Sequence, residues 1–318
     1  FLASWTSRWW HLYLAFGAVT AVGMSFVGWV PSVVLIRGWF PTRFATVMGL
    51  ASAGIGVGIT AMVPLAQALI EIVGWRWTFR IFGLAVIGWL LPAATWLLRE
   101  PPPAPPAAGR RGGQAYWRLA TALRDRGFWA LAGAFFTGTL VHQVLLVHQV
   151  AYLVDHGVSA MAAATVGGVV GLVSIGSKVG WGVLSDRIGR ETAYTLAFGF
   201  AALGIGLLVL AGRLPLAVFL YGYAIAAGVG YGVLSPVQPA AASDLFGGPG
   251  FSTIYGTLYV AVSVGGAFGA WMAGALFDLL GSYSLALGLT LLNALASPTL
   301  LWLAAPRRPH PPPGGEAT

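Results

Sequence analysis

The chain has 318 residues, of which 58% are hydrophobic and only 8% charged, with a mean hydropathy of +0.80. A soluble domain is about 25% charged, so this composition excludes an ordinary soluble protein and indicates a polytopic membrane protein. The net charge of +8 comes from arginines scattered among loops, which argues against nucleic acid, and the absence of cysteine removes disulfides, thiolate nucleophiles and cysteine metal sites.

Nine apolar stretches follow one another, at about 10–36, 44–73, 77–98, 128–154, 160–184, 192–212, 215–242, 252–278 and 283–304. Each exceeds the roughly 20 residues a helix needs to cross a hydrocarbon core. Alternation of period two is absent, so the expected class is an all-α membrane protein rather than a barrel. Glycine, at 45 residues, is about twice its usual share of roughly 7%, which lets helix backbones approach closely in lipid. Arg37, Arg43, Arg99, Arg110, Arg111, Arg118, Arg124, Arg126, Arg187, Arg190, Arg307 and Arg308 fall on one side of the spans. Only Arg8, Arg76, Arg80 and Arg213 fall on the other. The richer side is expected to be cytoplasmic, with the C-terminus on it.

The composition changes at 99–127. Pro101, Pro102, Pro103, Pro105 and Pro106 make a stiff start, and arginines interleaved with Trp117, Leu119, Leu123 and Phe128 follow. This reads as a cytoplasmic linker, either a plain solvated connector or one with a short amphipathic helix on the headgroups. The Pro- and Gly-rich tail 305–318 is expected to be disordered.

Between two spans lies Gly182-Val183-Leu184-Ser185-Asp186-Arg187-Ile188-Gly189-Arg190. Gly182 permits close helix approach and Gly189 a tight turn, Asp186 suits a helix start and attracts arginines, and Arg187 and Arg190 mark the cytoplasmic side. The bland reading is a charged turn that only sets topology. The spacing resembles the signature loop of the major facilitator superfamily of secondary transporters. That resemblance implies the major facilitator fold of twelve helices in two six-helix halves, with this loop locking and releasing the inward-closed state. Arg43, beside the turn at Trp39-Phe40, then belongs to the cytoplasmic gate; its plain reading is an interfacial anchor.

An internal repeat supports two halves. Laying 44–74 over 251–281, a shift of 207, pairs Phe44 with Phe251, Thr46 with Thr253, Gly49 with Gly256, Gly58 with Gly265 and Gly74 with Gly281, and sets Glu71 over Asp278. The same shift implies that about 80 residues, enough for three spans, precede the first residue, Phe1. The expected organisation is nine of twelve helices, the first three missing. It runs as the remainder of the N-terminal half at 1–98, a linker at 99–127, a six-helix half at 128–304 and a tail at 305–318.

Phe40, Arg43, Gly49, Ala51, Ala53, Gly54 and Gly58 resemble the fifth-helix motif of monocarboxylate porters and oxalate/formate antiporters, although Thr42 and Phe44 stand at positions that are basic there. Asp278-Leu279-Leu280-Gly281-Ser282-Tyr283 is similar to the same branch. In those porters one helix carries an acid and, four residues later, an arginine that pairs with the substrate carboxylate. Here those positions are Ser174 and Lys178. The cation is kept as a point charge, and the acid of that family's proton device is lost.

An ionisable group inside a span is a functional candidate, and Lys178 is the clearest one; its competing reading is a snorkelling lysine. The span 128–154 carries His142, Gln143, His148 and Gln149, a polar stripe for substrate or protons, or for helix–helix hydrogen bonds. His148 through Gly157 resembles bacterial members of the branch. The expected substrate-binding set is therefore Lys178, His148, Gln149 and Ser174. Glycine runs at Gly54-x-Gly56-x-Gly58 and Gly228-x-Gly230-x-Gly232 read as helix packing rather than phosphate loops.

The leading expectation is a proton-coupled or exchanging transporter of a small organic anion, a monocarboxylate, in the inner (plasma) membrane. Its partners are that anion, the lipid bilayer and protons. No cofactor, metal or enzymatic activity is expected. The alternatives are efflux of hydrophobic solutes and a non-transporting receptor or scaffold.

Overall fold

Helix is the only regular structure among the described residues, as lipid requires of a chain that must satisfy its own backbone groups. The computed structural model describes residues 2–97, Arg99, 116–214 and 216–304. The proline run at 101–106, Arg110, Arg111, Arg307, Arg308 and the tail 305–318 lie outside the described residues. The chain forms two compact units, Phe1–Pro41 with Val57–Ala108, and Thr42–Gly56 with Gly109–Thr318.

The first unit begins with a 3-10 turn, Leu2–Trp5, followed by α1 (Trp9–Leu12), a π-helical stretch Tyr13–Thr20, α2 (Ala21–Val27) and α3 (Trp29–Trp39). Gly28, with ψ −148°, separates α2 from α3. Next comes α4 (Phe44–Pro92), interrupted at Gly74 by φ 79° and ψ 159°. Only a residue without Cβ adopts that backbone cheaply, so Gly74 ends one helical segment and starts another. Beyond the break, Arg76 Nη2 donates to the Thr6 carbonyl and Arg80 Nε to Ser4 Oγ, each at 3.2 Å. Their guanidinium groups also lie over the Trp75 and Trp77 rings.

The second unit holds α5 (Leu119–Ala122), α6 (Arg126–Asp155), α7 (Ala160–Ile188), α8 (Arg190–Arg213), α9 (Ala217–Tyr231), α10 (Leu234–Phe246), α11 (Phe251–Leu280) and α12 (Ser284–Ala304). Asp125 caps α6 through Gly127 N at 2.7 Å, and Ser159 caps α7 through Ala162 N at 3.3 Å. α6 packs mainly on α11 and α12, and α9 lies against α7 and α8. The Gly228 run makes that second contact: a Cβ at Gly228 would stand 2.8 Å from the Val170 carbonyl oxygen, and one at Gly230 3.0 Å from that of Ala197. These glycines are packing residues, because any larger side chain would force α9 off its neighbours.

Seven helices among the described residues are long and apolar enough to cross a membrane: Ala68–Trp96, Arg126–Asp155, Ala160–Ile188, Arg190–Arg213, Ala217–Phe246, Phe251–Leu280 and Ser284–Ala304. The six expected between 128 and 304 are all there. The expected stretches 10–36 and 44–73 are not among the seven, so the count of nine does not carry over directly. The first is broken by the π-helical run and Gly28, and the second contributes a shorter apolar helix, Phe44–Gly58. The end of the linker also differs from a helix resting on headgroups. Its helix is a single turn, α5, and Trp117 is buried with its ring centroid 5.1 Å from that of Phe246.

The repeat is visible in the backbone. Phe44 and Phe251 each open a helix and are buried, and each helix runs 30 residues to a glycine with positive φ, Gly74 at 79° and Gly281 at 64°.

Candidate functional site

Two adjoining features of the second unit draw the predicted residues together. The first is a clasp at one end of α7. Phe44, Ala45, Met48, Ser52 and Ala53 form a buried helical face on the start of α4, and α7 runs antiparallel against it. Glycines set the spacing. A Cβ at Gly182 would stand 2.5 Å from the Ala45 carbonyl oxygen, and one at Gly49 would run into the Lys178 carbonyl oxygen. Close approach brings Asp186 to the first turn of α4, where its Oδ2 accepts the Thr46 amide at 2.9 Å and the Thr46 hydroxyl at 2.6 Å. A carboxylate there satisfies an orphan amide and meets the positive end of the helix dipole.

The other carboxylate oxygen, Oδ1, accepts Arg190 Nη1 at 2.5 Å. Arg190 also donates Nε to Asp244 Oδ2 on α10 at 2.9 Å and Nη1 to Ser185 Oγ at 3.1 Å. One guanidinium thus joins the ends of α7 and α10, with Asp186 and Arg190 each 14% exposed at the side chain, where screening is partial. Gly189, between α7 and α8 with φ 94° and ψ 162°, makes the turn that points Arg190 back at Asp186. Arg187 is exposed, and Arg43 is the one non-glycine residue with positive φ, 58°, among the described residues.

The second feature is a buried cation deeper in the unit. Lys178 is 1% exposed and its Nζ lies 5.2 Å from the centroid of the Tyr231 ring on α9. A desolvated ammonium over an aromatic face gains about 2 kcal/mol. The position is an interior one, not that of a lysine snorkelling to an interface. Ser174, one turn earlier and also buried, donates Oγ to the Gly171 carbonyl at 2.7 Å. Ser177 Oγ donates to the Gly228 carbonyl at 2.9 Å and Trp181 Nε1 to that of Val229 at 2.7 Å, which fixes α9 beside Lys178.

The other predicted residues sit apart from Lys178. Gln149 is buried and accepts the Tyr223 hydroxyl at 2.8 Å, next to Gly167 of α7. His148 faces α11, with Nε2 2.9 Å from the Ala270 carbonyl oxygen and Nδ1 3.3 Å from the Tyr283 hydroxyl. Both therefore make contacts between helices. Sequence reasoning passed over Thr46 as the donor to Asp186, Asp244 as the second carboxylate and Tyr231 as the ring over Lys178. Among the described residues no group of three or more His, Asp or Glu side chains is placed to hold a metal ion.

The chain is similar in sequence to known transporters. The chain is 31% identical over 297 residues to Monocarboxylate transporter 3 of Rattus norvegicus, covering 89% of this chain and 59% of that protein. It is 26% identical over 281 residues to the Oxalate:formate antiporter of Oxalobacter formigenes, covering 86% and 65%. It is 27% identical over 287 residues to Monocarboxylate transporter 11 of Homo sapiens, covering 86% and 59%. The chain thus spans about six-tenths of the length of the curated relatives it matches. The family sequence model described as Major Facilitator Superfamily matches residues 1–246 and 181–318. Those two ranges take in every helix described above and both share the clasp loop, so the chain belongs to the Major Facilitator Superfamily.

Proposed function

We propose that this chain is part of a secondary transporter that carries a small organic anion, a monocarboxylate, across a plasma membrane by alternating access. The observation that carries the reading is Lys178, a cation held almost fully out of solvent in the middle of a spanning helix. Burying an unpaired ammonium in an apolar bundle is expensive, and a site that receives an anion uses that expense. A carboxylate reaching Nζ replaces the weaker contact with Tyr231 by a charge-assisted hydrogen bond. The similarity to transporters named for monocarboxylates and for oxalate and formate supports an anionic substrate.

Alternating access needs a contact that holds one state and breaks in the other. The Thr46–Asp186 bonds suit that role: in the proposed organisation, α4 belongs to the first half of the fold and α7 to the second, so parting the halves on that side breaks them. In this reading residues 1–98 belong to the first half of the fold, 99–127 form a cytoplasmic linker and 128–304 make up the second half of six helices. The arginine-rich side and the C-terminus face the cytoplasm. Coupling is to protons or to exchange with a second anion.

The test is uptake of labelled lactate, pyruvate, formate and oxalate by the complete gene product in proteoliposomes, beside Lys178→Ala. The expected result is uptake of at least one acid, reduced more than tenfold in the variant. Uptake that survives the substitution removes Lys178 from the site, and a folded protein that moves none of the acids defeats the anion reading.

A further inference from the structure

His142 is the one imidazole of α6 that faces neither α11 nor the end of its helix. It is 3% exposed and its Nδ1 lies 2.8 Å from the carbonyl oxygen of Gly138, one turn back. A carbonyl only accepts, so Nδ1 carries the hydrogen and the lone pair of the neutral ring sits on Nε2. Nε2 is buried and has no hydrogen-bond partner. A polar atom left so in an apolar interior carries a penalty of about 1–3 kcal/mol unless some state of the molecule uses it. The ring is not free to turn away: it stands edge-on to Phe198, with centroids 5.3 Å apart, and beside Tyr231, with centroids 5.7 Å apart.

Tyr231 is also the ring beneath Lys178 Nζ, 5.2 Å from its centroid. One aromatic ring therefore separates a fixed cation from a group that becomes a cation on taking up a proton. The carbonyl of Gly230, the residue before Tyr231, also faces the imidazole.

We propose that His142 is the proton-carrying residue of the transport cycle, coupled to Lys178 across the shared ring of Tyr231. The inference rests on the reading of the chain as an anion transporter and names the group that binds the co-transported proton. With Lys178 unpaired, a second positive charge beside the same ring is repelled in a medium of low dielectric. When a carboxylate pairs with Lys178, that repulsion is offset and His142 accepts a proton on Nε2. No other bond forms or breaks, and the proton leaves Nε2 on the side where the anion leaves. By linkage, a protonated His142 must strengthen anion binding by the same factor.

The other ionisable groups around the ring are consistent with this. On α8, the Tyr194 ring lies tilted against Phe198, with centroids 4.6 Å apart, and its hydroxyl hydrogen-bonds Ser297 of α12. On α11, Tyr259 lies near Tyr231. On α7 there is Lys178 itself. Among the described residues no carboxylate is recorded against the imidazole, so none competes there for the proton. Ser174, one turn before Lys178 on α7, is not ionisable near neutral pH.

The test uses the complete gene product in weakly buffered detergent solution, with pyruvate, lactate, formate and oxalate as probes, followed by proteoliposomes. For the wild type, affinity for the acid that binds is expected to rise as pH falls from 8 to 6, by at most about tenfold per unit for one linked proton, with measurable proton uptake on binding. His142→Gln is expected to bind with an affinity nearly independent of pH and to release the proton uptake to zero. In liposomes it is expected to exchange anion while failing to accumulate it under a proton gradient. Retained proton uptake in His142→Gln overturns the proposal, and so does a wild type that binds an acid without taking up a proton. Both leave the anion reading standing, whereas a wild type that binds none of the acids removes that reading and this proposal together. If His142→Gln does not fold, the ring decides: Tyr231→Phe should keep the pH dependence and Tyr231→Leu should weaken it, and equal behaviour of the two overturns the coupling.

Discussion

Asp186 holds Thr46, 140 residues earlier in the chain, by both its amide and its hydroxyl through a single carboxylate oxygen. The other oxygen of Asp186 is taken by Arg190, so the carboxylate is fully used on two helices at once.

Asp186→Asn should loosen this clasp without unfolding the unit. The amide keeps an oxygen for Thr46 but loses the charge, while Arg190 keeps Asp244. Hydrogen bonds to charged groups contribute about 1.5–3 kcal/mol, so the joined state should lose roughly ten- to a hundredfold in population. Uptake and the labelling of positions along α4 and α7 would register it. Unchanged labelling together with unchanged uptake would deny the clasp any part in the cycle.

Gly182→Ala should force α4 and α7 apart, because its Cβ would meet backbone, at 2.5 Å from the Ala45 oxygen, rather than a side chain able to swing away. Overpacking of this kind costs about 1–3 kcal/mol. The absence of cysteine gives a direct measurement. A Gly56→Cys, Ile175→Cys pair should cross-link readily, since a Cβ at Gly56 would already touch the Ile175 side chain. The same pair should cross-link several-fold more slowly once Gly182→Ala is added; an equal rate would mean that the helices do not depend on Gly182 for their approach.

His148→Ala should act on stability first. It removes the link from α6 to the Ala270 carbonyl and to Tyr283, a bond between helices worth about 1–2 kcal/mol. The expected outcome is a melting temperature several degrees lower, with a smaller effect on anion affinity. A large loss of affinity at an unchanged melting temperature would instead support a place for His148 in the substrate site.

What could be read from the sequence, and what could not, follows from the range of the interactions. Gly182, Asp186, Gly189 and Arg190 lie within one turn and its flanks, so their pattern survives in the primary order. The six helices from 126 to 304 were legible because lipid demands long apolar runs. Asp244 escaped notice because its partner is 54 residues away and a lone acid at a helix end has no local signature. Tyr231 was hidden in a glycine run whose packing role was plain, while its neighbour Lys178 is on another helix. The stretch 10–36 looked like one span by hydropathy, but hydropathy is blind to the backbone breaks at Gly28 and along Tyr13–Thr20.

The matched stops at Gly74 and Gly281 have a consequence for the choice of membrane. Each closes a segment of 30 residues, from Phe44 and from Phe251. Thirty helical residues extend about 45 Å, against a hydrocarbon core of about 30 Å. Each segment must therefore lean or project well beyond the acyl chains, and both carry the same excess. A change in bilayer thickness then acts on the two repeats alike, tilting equivalent helices instead of setting one repeat against the other.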